Sequence, residues 1–357
     1  MSGFRHKPPR PRGRSPFVRG TFRGPTVCAL YLLLIGCSCA WAAPSITWQR
    51  GPDMPSAHDY LGCGVMDGLF VVAGGAYWEH DHKHYGDGTV AYSPTQDRWI
   101  TLPDLPMPGA YGVSAVIDGQ LVIAGGADSA GALTRCFRLR RVEGRMRWES
   151  LPDLPRPIWG ASGVAVGSRF YVLGGAPGMD VEGMKSARPS LLMLDLAAVV
   201  PQWVEFVGPG LPAGRVGAAT AVIGTRLYVF GGYGLQADGT LGNFADAYVV
   251  DLNGPSHSWK HIDGMPIASR WSSARAIDDR YVMIAGGYAD NPVKGFLDGV
   301  WLYDALDDIS LTCDPLPLPV ATMASGVGAG GAFYLAGGED AMRHRSASFF
   351  IGRIRDR

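Results

Sequence analysis

Short apolar runs punctuate this chain at regular intervals, and six of them end in a glycine pair: Gly74-Gly75, Gly125-Gly126, Gly174-Gly175, Gly231-Gly232, Gly286-Gly287 and Gly337-Gly338. About 25 residues after each pair, an aromatic or hydrophobic run leads into a Leu-Pro or Met-Pro turn, which makes the unit 49 to 57 residues long. Apolar runs of this length bounded by Gly and Pro read as strands, and no stretch sustains helical periodicity. A period near 50 residues with this content predicts one four-stranded sheet per repeat. Six such sheets arranged radially make an all-β, six-bladed β-propeller that leaves only short, protected edges.

The second blade illustrates the expected strand order from axis to rim: Val113 to Ile117, Leu121 to Ala124, Cys136 to Arg140, then a strand opening at Trp148. Neighbours run antiparallel, so the loop entering each blade and the loop joining its second and third strands share one face of the disc. The chain begins with an outer-type segment, Ile46 to Gln49, and ends with three inner-type segments, Met323 to Val327, Ala332 to Ala336 and Ala347 to Ile351. The first segment is therefore expected to complete the last blade and close the ring. Gly pairs at the ends of second strands fit a sharp exit near a crowded axis, where positive φ and close backbone approach are needed.

Glycine, at 50 of 357 residues, is about twice as frequent as usual, and 26 prolines accompany it. Few charges and many apolar residues suit inner strands buried on both faces. The first 42 residues differ: seven Lys and Arg and no acid precede an apolar run, Val27 to Ile35, too short to span a bilayer. This reads as an export signal, placing the protein in the periplasm or outside the cell. Cleavage before Ala43 fits Ala40-Trp41-Ala42, whereas Leu34-Ile35-Gly36-Cys37 resembles a lipobox that would lipidate Cys37 and give the only membrane contact. Residues 43–357 are then a single domain with 25 Lys and Arg against 32 Asp and Glu, a net charge of −7. An acidic disc has no electrostatic footprint for nucleic acid. Cys63, Cys136 and Cys313 lie in different units, so they read as buried thiols rather than a disulfide framework.

Five units carry a tryptophan ahead of the proline turn, in WQRGPDMP at Trp48, WITLPDLP at Trp99, WESLPDLP at Trp148, WVEFVGPGLP at Trp203 and the segment opening at Trp259. The sixth unit, LTCDPLPLP, lacks it. The Gly-Gly strand ends and these tryptophans resemble the kelch repeat, over roughly Ser45 to Ile354. As packing residues, the tryptophans are expected to lie between blades.

Loops on a rigid scaffold carry function. On the shared face, the entering loops contribute His58, Asp59, Tyr60, Tyr111, Trp159, Arg215, Arg270, Trp271 and Thr322-Met323. The loops between second and third strands add Trp78, Glu79, Asp128, Asp180, Tyr233, Tyr288, Glu339 and Asp340. An aromatic, charged mouth of this kind suits a sugar: ring faces stack on C–H surfaces while acids and arginines bind hydroxyls or a carboxylate. Arginine at the start of an inner strand is also a common inter-blade hydrogen-bond donor, so both readings stay open for Arg215 and Arg270.

AGGAYWE at Ala73 to Glu79, PGAYGVS at Pro108 to Ser114 and LPRPIWGASGVAVGSRFYVLGG at Leu151 to Gly175 resemble the mutarotase branch related to N-acetylneuraminate epimerase. The first long loop departs from that pattern, continuing as His80-Asp81-His82-Lys83-His84. The resemblance implies anomer interconversion of a reducing sugar through ring opening, with one group taking the anomeric proton and another protonating the ring oxygen. Glu79 and Glu339 are the acid/base candidates, with His58 and Asp59 as rivals. Arg215 and Arg270 are candidates to clamp a carboxylate, and Tyr60, Tyr111, Trp159, Trp271, Tyr233 and Tyr288 to bind substrate.

No cofactor is expected. His80, His82 and His84 alternate along a loop without metal-ligand spacing, and no counterpart of the copper ligands of galactose oxidase, another propeller, is recognisable. Gly326-Val327-Gly328-Ala329-Gly330-Gly331 fits G-x-G-x-x-G, but a strand rather than a helix follows it, which excludes a dinucleotide site. Two classes of function remain: a mutarotase-like enzyme acting on a small carbohydrate, or a non-catalytic propeller binding a glycan or a protein partner.

Overall fold

The computed structural model describes residues 45–290 and 294–355; the basic leader, both cleavage readings and Cys37 lie outside them. The described chain forms six four-stranded antiparallel sheets. Their innermost strands are Gly62–Met66, Val113–Ile117, Ser162–Val166, Ala219–Ile223, Ser273–Ala276 and Ala324–Val327, each next to the following one round a closed ring. Alternating side chains fill six apolar clusters, exemplified by Phe70, Tyr92, Tyr334 and Phe349 packed between the first and last blades.

Strand bounds follow the pattern closely. In the second blade, the outer strand Arg145–Leu151 begins three residues before Trp148, because Glu143 and Gly144 both take positive φ and make a two-residue hairpin with Cys136–Val142. The ring closes as the terminal segments require: Ile46–Arg50 pairs antiparallel with Phe349–Ile354, in register from Ile46 opposite Ile354 to Arg50 opposite Phe350. That third strand of the last blade starts two residues later than Ala347, after Ser346 has bonded back to Gly338. Gly326 to Gly331 forms the tip of a hairpin between Ala324–Val327 and Phe333–Ala336. Cys63 and Cys136 are buried, Cys313 is half-buried, and all three are free thiols. Among the described residues no helix is long and apolar enough to cross a membrane.

The glycine pairs stitch neighbouring blades together. Both members of every pair have positive φ. The second glycine's N–H donates to the next entering loop, for example Gly126 to the Ile158 carbonyl at 2.8 Å and Gly287 to the Val320 carbonyl at 2.9 Å. A Cβ on Gly286 would lie 2.3 Å from that same Val320 oxygen, so only glycine fits.

The tryptophans act at the rim. Trp99, Trp148, Trp203 and Trp259 donate their indole N–H to the carbonyls of Pro52, Pro103, Pro152 and Pro209, each in the preceding blade's exit loop, at 2.8 to 2.9 Å. The fifth blade lacks the tryptophan and substitutes Ser310, whose backbone N–H donates to Asp263 and whose hydroxyl donates to the Gly264 carbonyl. Trp148→Phe keeps the ring but leaves the Pro103 carbonyl without this donor. It is expected to cost about 1 kcal/mol, read as a lower urea midpoint with unchanged slope.

The loops between second and third strands rise on one face. The first blade extends its hairpin as Leu69–Glu79 with His82–Ser93, four blades carry short two-stranded ribbons, and the third carries the helix Val181–Lys185. Entering loops pair with these ribbons through single bridges, Ala110 with Ala127, Arg270 with Tyr288 and Ala321 with Glu339 among them. Both loop sets therefore meet on the face expected from strand direction.

Candidate functional site

Six equivalent residues, one at the end of each entering loop, ring the axis: Tyr60, Tyr111, Gly160, Gly217, Trp271 and Thr322. Each from Tyr111 onward donates its backbone N–H to the carbonyl of the one before it, at 2.7 to 3.3 Å. This ring forces Tyr111, Trp271 and Thr322 to φ of 59°, 58° and 55°. At the same position the third and fourth blades use glycine, which carries no such strain. Strain of this kind at a bulky residue points to a functional demand on the side chain. The missing side chains serve the large one: a Cβ on Gly217 would lie 2.8 Å from the Trp271 indole.

Above the ring lies an open cavity of about 710 Å³, lined by Lys83, Tyr111, Trp159, Arg270, Trp271, Tyr288, Phe296, Ala321, Thr322, Glu339 and Met342. Trp271 stands 5.6 Å from Trp159 and 5.9 Å from Tyr111, measured between ring centres, giving a three-ring floor. The Trp159 indole N–H is buried with no hydrogen-bond partner among the described residues, an unmet donor in the wall of the pocket.

A charged network supports one wall. Asp59 is buried and accepts from the Ala76 N–H at 2.5 Å and from Arg345 Nε at 3.1 Å. Arg345 Nη2 donates to the Tyr111 hydroxyl at 3.0 Å, while its Nη1 lies 2.9 Å from Glu339 Oε1. Burial pushes the Asp59 carboxyl up, and the Arg345 guanidinium opposes that rise. Burial, with the Asp59 charge, also pushes the Tyr111 phenol well up, leaving it a neutral donor. Lys83 reaches in from the first blade's hairpin with its amine 4.3 Å from the Tyr111 ring centre and 5.5 Å from that of Tyr85. It makes no hydrogen bond or ion pair among the described residues. Burial pulls its pKa below the ordinary lysine range, against the upward pull of Asp59.

Of the residues singled out from sequence, Glu339, Arg270, Tyr111, Trp159, Trp271 and Tyr288 line this cavity. Asp59 lies behind its wall, and Tyr60 faces the axial channel below. Arg270 sits between the Tyr233 and Tyr288 rings and is already held by Asp290 at 2.5 Å and by the Asn243 side chain at 2.7 Å. The structure does not bring the others in. Glu79 is exposed beside the tip of the first hairpin, opposite His82. Arg215 is buried and turned away, bonded to Asp246 at 2.7 Å and to the Gly231 carbonyl at 2.9 Å. His58 is half-buried and its ring contacts the Asp59 carbonyl.

Sequence reading missed Lys83 and Arg345. Lys83 carried a signal in the departure of its loop from the family pattern; Arg345, close to the chain end, carried none.

No family model matches the chain. It is 27% identical over 256 residues to the kelch-like protein terF of Aspergillus terreus, covering 68% of this chain and 52% of that protein. It is also similar to N-acetylneuraminate epimerases of Vibrio vulnificus and Vibrio cholerae, 28% and 32% identical, each over 35% of this chain and 30% of the epimerase. The chain thus spans about half the length of the first relative and less than a third of the other two. With six blades closed by the N-terminal strand and these likenesses in hand, the chain is a six-bladed β-propeller that resembles kelch-repeat proteins and, among them, the N-acetylneuraminate epimerase branch.

Proposed function

We propose that the cavity binds a reducing sugar and interconverts its anomers. The observation that carries this reading is Lys83: a half-buried amine with no ion pair and a lowered pKa, placed with the Glu339 carboxylate on the lining of one aromatic pocket. Anomer exchange needs a base at the anomeric hydroxyl and an acid at the ring oxygen. The Glu339 carboxylate takes the hydroxyl proton while the Lys83 ammonium, made more acidic by burial, protonates the ring oxygen. The bond from the anomeric carbon to the ring oxygen breaks, giving the open-chain carbonyl form. Reclosure on the opposite face returns both protons and yields the other anomer. The aromatic floor stacks on the sugar. The epimerase names of two relatives support a sialic-acid-like sugar. The basic and apolar leader supports an exported protein.

NMR exchange spectroscopy on N-acetylneuraminate, and on neutral hexoses, tests this. The protein is expected to accelerate exchange. Lys83→Met and Glu339→Gln should each lower the rate by about 10²–10⁴-fold. The rate should fall as pH rises through a pKa below the ordinary lysine range, a limb absent from Lys83→Met. Binding seen by calorimetry without accelerated exchange would establish the second reading, a non-catalytic binding module. That reading is favoured by Arg270, whose existing partners leave it poorly free to take part in a reaction.

A further inference from the structure

Beneath the aromatic floor, the axial channel opens into a narrow cavity and then a wider one toward the opposite face. Arg275 lines both, and it is the one charged residue in either lining. Its guanidinium donates only to backbone carbonyls, from Nη1 to Ala274 at 2.8 Å and from Nη2 to Ser325 at 3.0 Å, with Cys63 Sγ at 3.9 Å. No carboxylate pairs with it among the described residues. Five N–H donors on a guanidinium leave some unfilled here, and a half-buried cation without a counter-charge attracts an anion more strongly than one in bulk water.

Serine and threonine hydroxyls share the upper lining with small apolar residues. Ser273 and Ser325 are 7% and 2% exposed, and their hydroxyls make no hydrogen bond among the described residues. Ser114 Oγ, by contrast, is spent on the Cys63 backbone. An unpaired guanidinium with two unfilled hydroxyls at the waist of a channel without acids is a receptor for negative charge. We propose that this waist is a binding site for a small inorganic anion, a halide or a tetrahedral oxyanion, held by Arg275, Ser273 and Ser325. The anion reaches it through the wider cavity on the face opposite the sugar pocket. Tyr111 and Trp271 of the aromatic floor, with Thr322, line both the upper pocket and the channel beneath it. Arg275, Ser273 and Ser325 line the channel and not the upper pocket, so the anion site does not rest on the sugar reading.

Crystals of the intact propeller grown or soaked in sodium bromide test the site directly by anomalous scattering. The expected peak lies within hydrogen-bond distance of the Arg275 guanidinium. In solution, chloride, bromide, phosphate and sulfate are compared with gluconate, a bulky and weakly coordinating organic anion, at matched ionic strength. A bound anion raises the melting temperature by about 3–5 °C for each hundredfold increase above its dissociation constant. Arg275→Gln abolishes this dependence, and Ser273→Ala, a milder change, weakens it. Stabilisation by halides alone, or by oxyanions alone, identifies the class. Absence of a bromide peak at Arg275, together with equal stability in gluconate and the small anions, overturns the proposal.

Discussion

Arg345→Met is expected to remove about 3–5 kcal/mol of stability at neutral pH, because it leaves the Asp59 carboxylate buried without its counter-charge. Asp59 is 1% exposed, and its other partners are the Ala76 N–H and the Tyr111 hydroxyl. Neither carries a charge, and Lys83, the remaining cation that acts on Asp59, makes no ion pair with it. Burial already holds the Asp59 carboxyl above its ordinary value of 3.8, and loss of the guanidinium raises it further. The folded state then binds more protons than the unfolded one across that window, so stability falls as pH rises through it. The deficit relative to the parent protein should be largest near pH 7 and shrink toward pH 4. Urea denaturation across that range reads it. Adding Asp59→Asn to Arg345→Met should recover part of the loss, as a charge no longer needs pairing. A pH-independent deficit below about 1 kcal/mol would show the pair to be energetically like a surface bridge.

A chain begun at Gly51 should lose on the order of 5 kcal/mol, from the buried surface and hydrogen bonds of the closing strand. Ile46 to Arg50 forms the fourth strand of the last blade, Ile46 is 3% exposed, and the Trp48 indole covers Gly352 while donating to the Asp314 carbonyl. Without this strand, Phe349 to Ile354 becomes an open edge carrying Phe350 and Ile351, a template for pairing with another chain. The truncated protein is expected to show a lower urea midpoint and to self-associate in size-exclusion chromatography. A synthetic peptide spanning residues 44–51 should reverse both by supplying the strand. A monomer with an unchanged midpoint would mean that the six inner strands hold the ring closed alone.

The candidate site was only partly legible in the sequence. Arg215 and Arg270 look alike there, each just before an inner strand. The bridge register separates them: Val216 pairs with Tyr233, whereas Arg270 itself pairs with Tyr288. That one-residue offset turns Arg215 inward to Asp246 and leaves Arg270 facing the cavity, as a one-residue shift does in any strand pairing. Glu79 stood next to a promising aromatic pair, yet the long first hairpin carries it toward an exposed tip and directs Lys83 over Tyr111 instead.

What the sequence determined by itself is the repeating frame. Six glycine pairs, five tryptophans and the Leu-Pro or Met-Pro turns each answer a local demand: positive φ beside a neighbouring carbonyl, an indole donor at the rim, an apolar plug beneath a turn. Such demands recur once per blade, so the chain repeats them and they can be read in one dimension. The charged wall of the cavity belongs to tertiary structure alone. Arg345 meets Asp59 across 286 residues, and they become neighbours only because ring closure sets the last blade beside the first. Burial then decides the chemistry, since the same Lys83 in water would be an ordinary solvated ammonium.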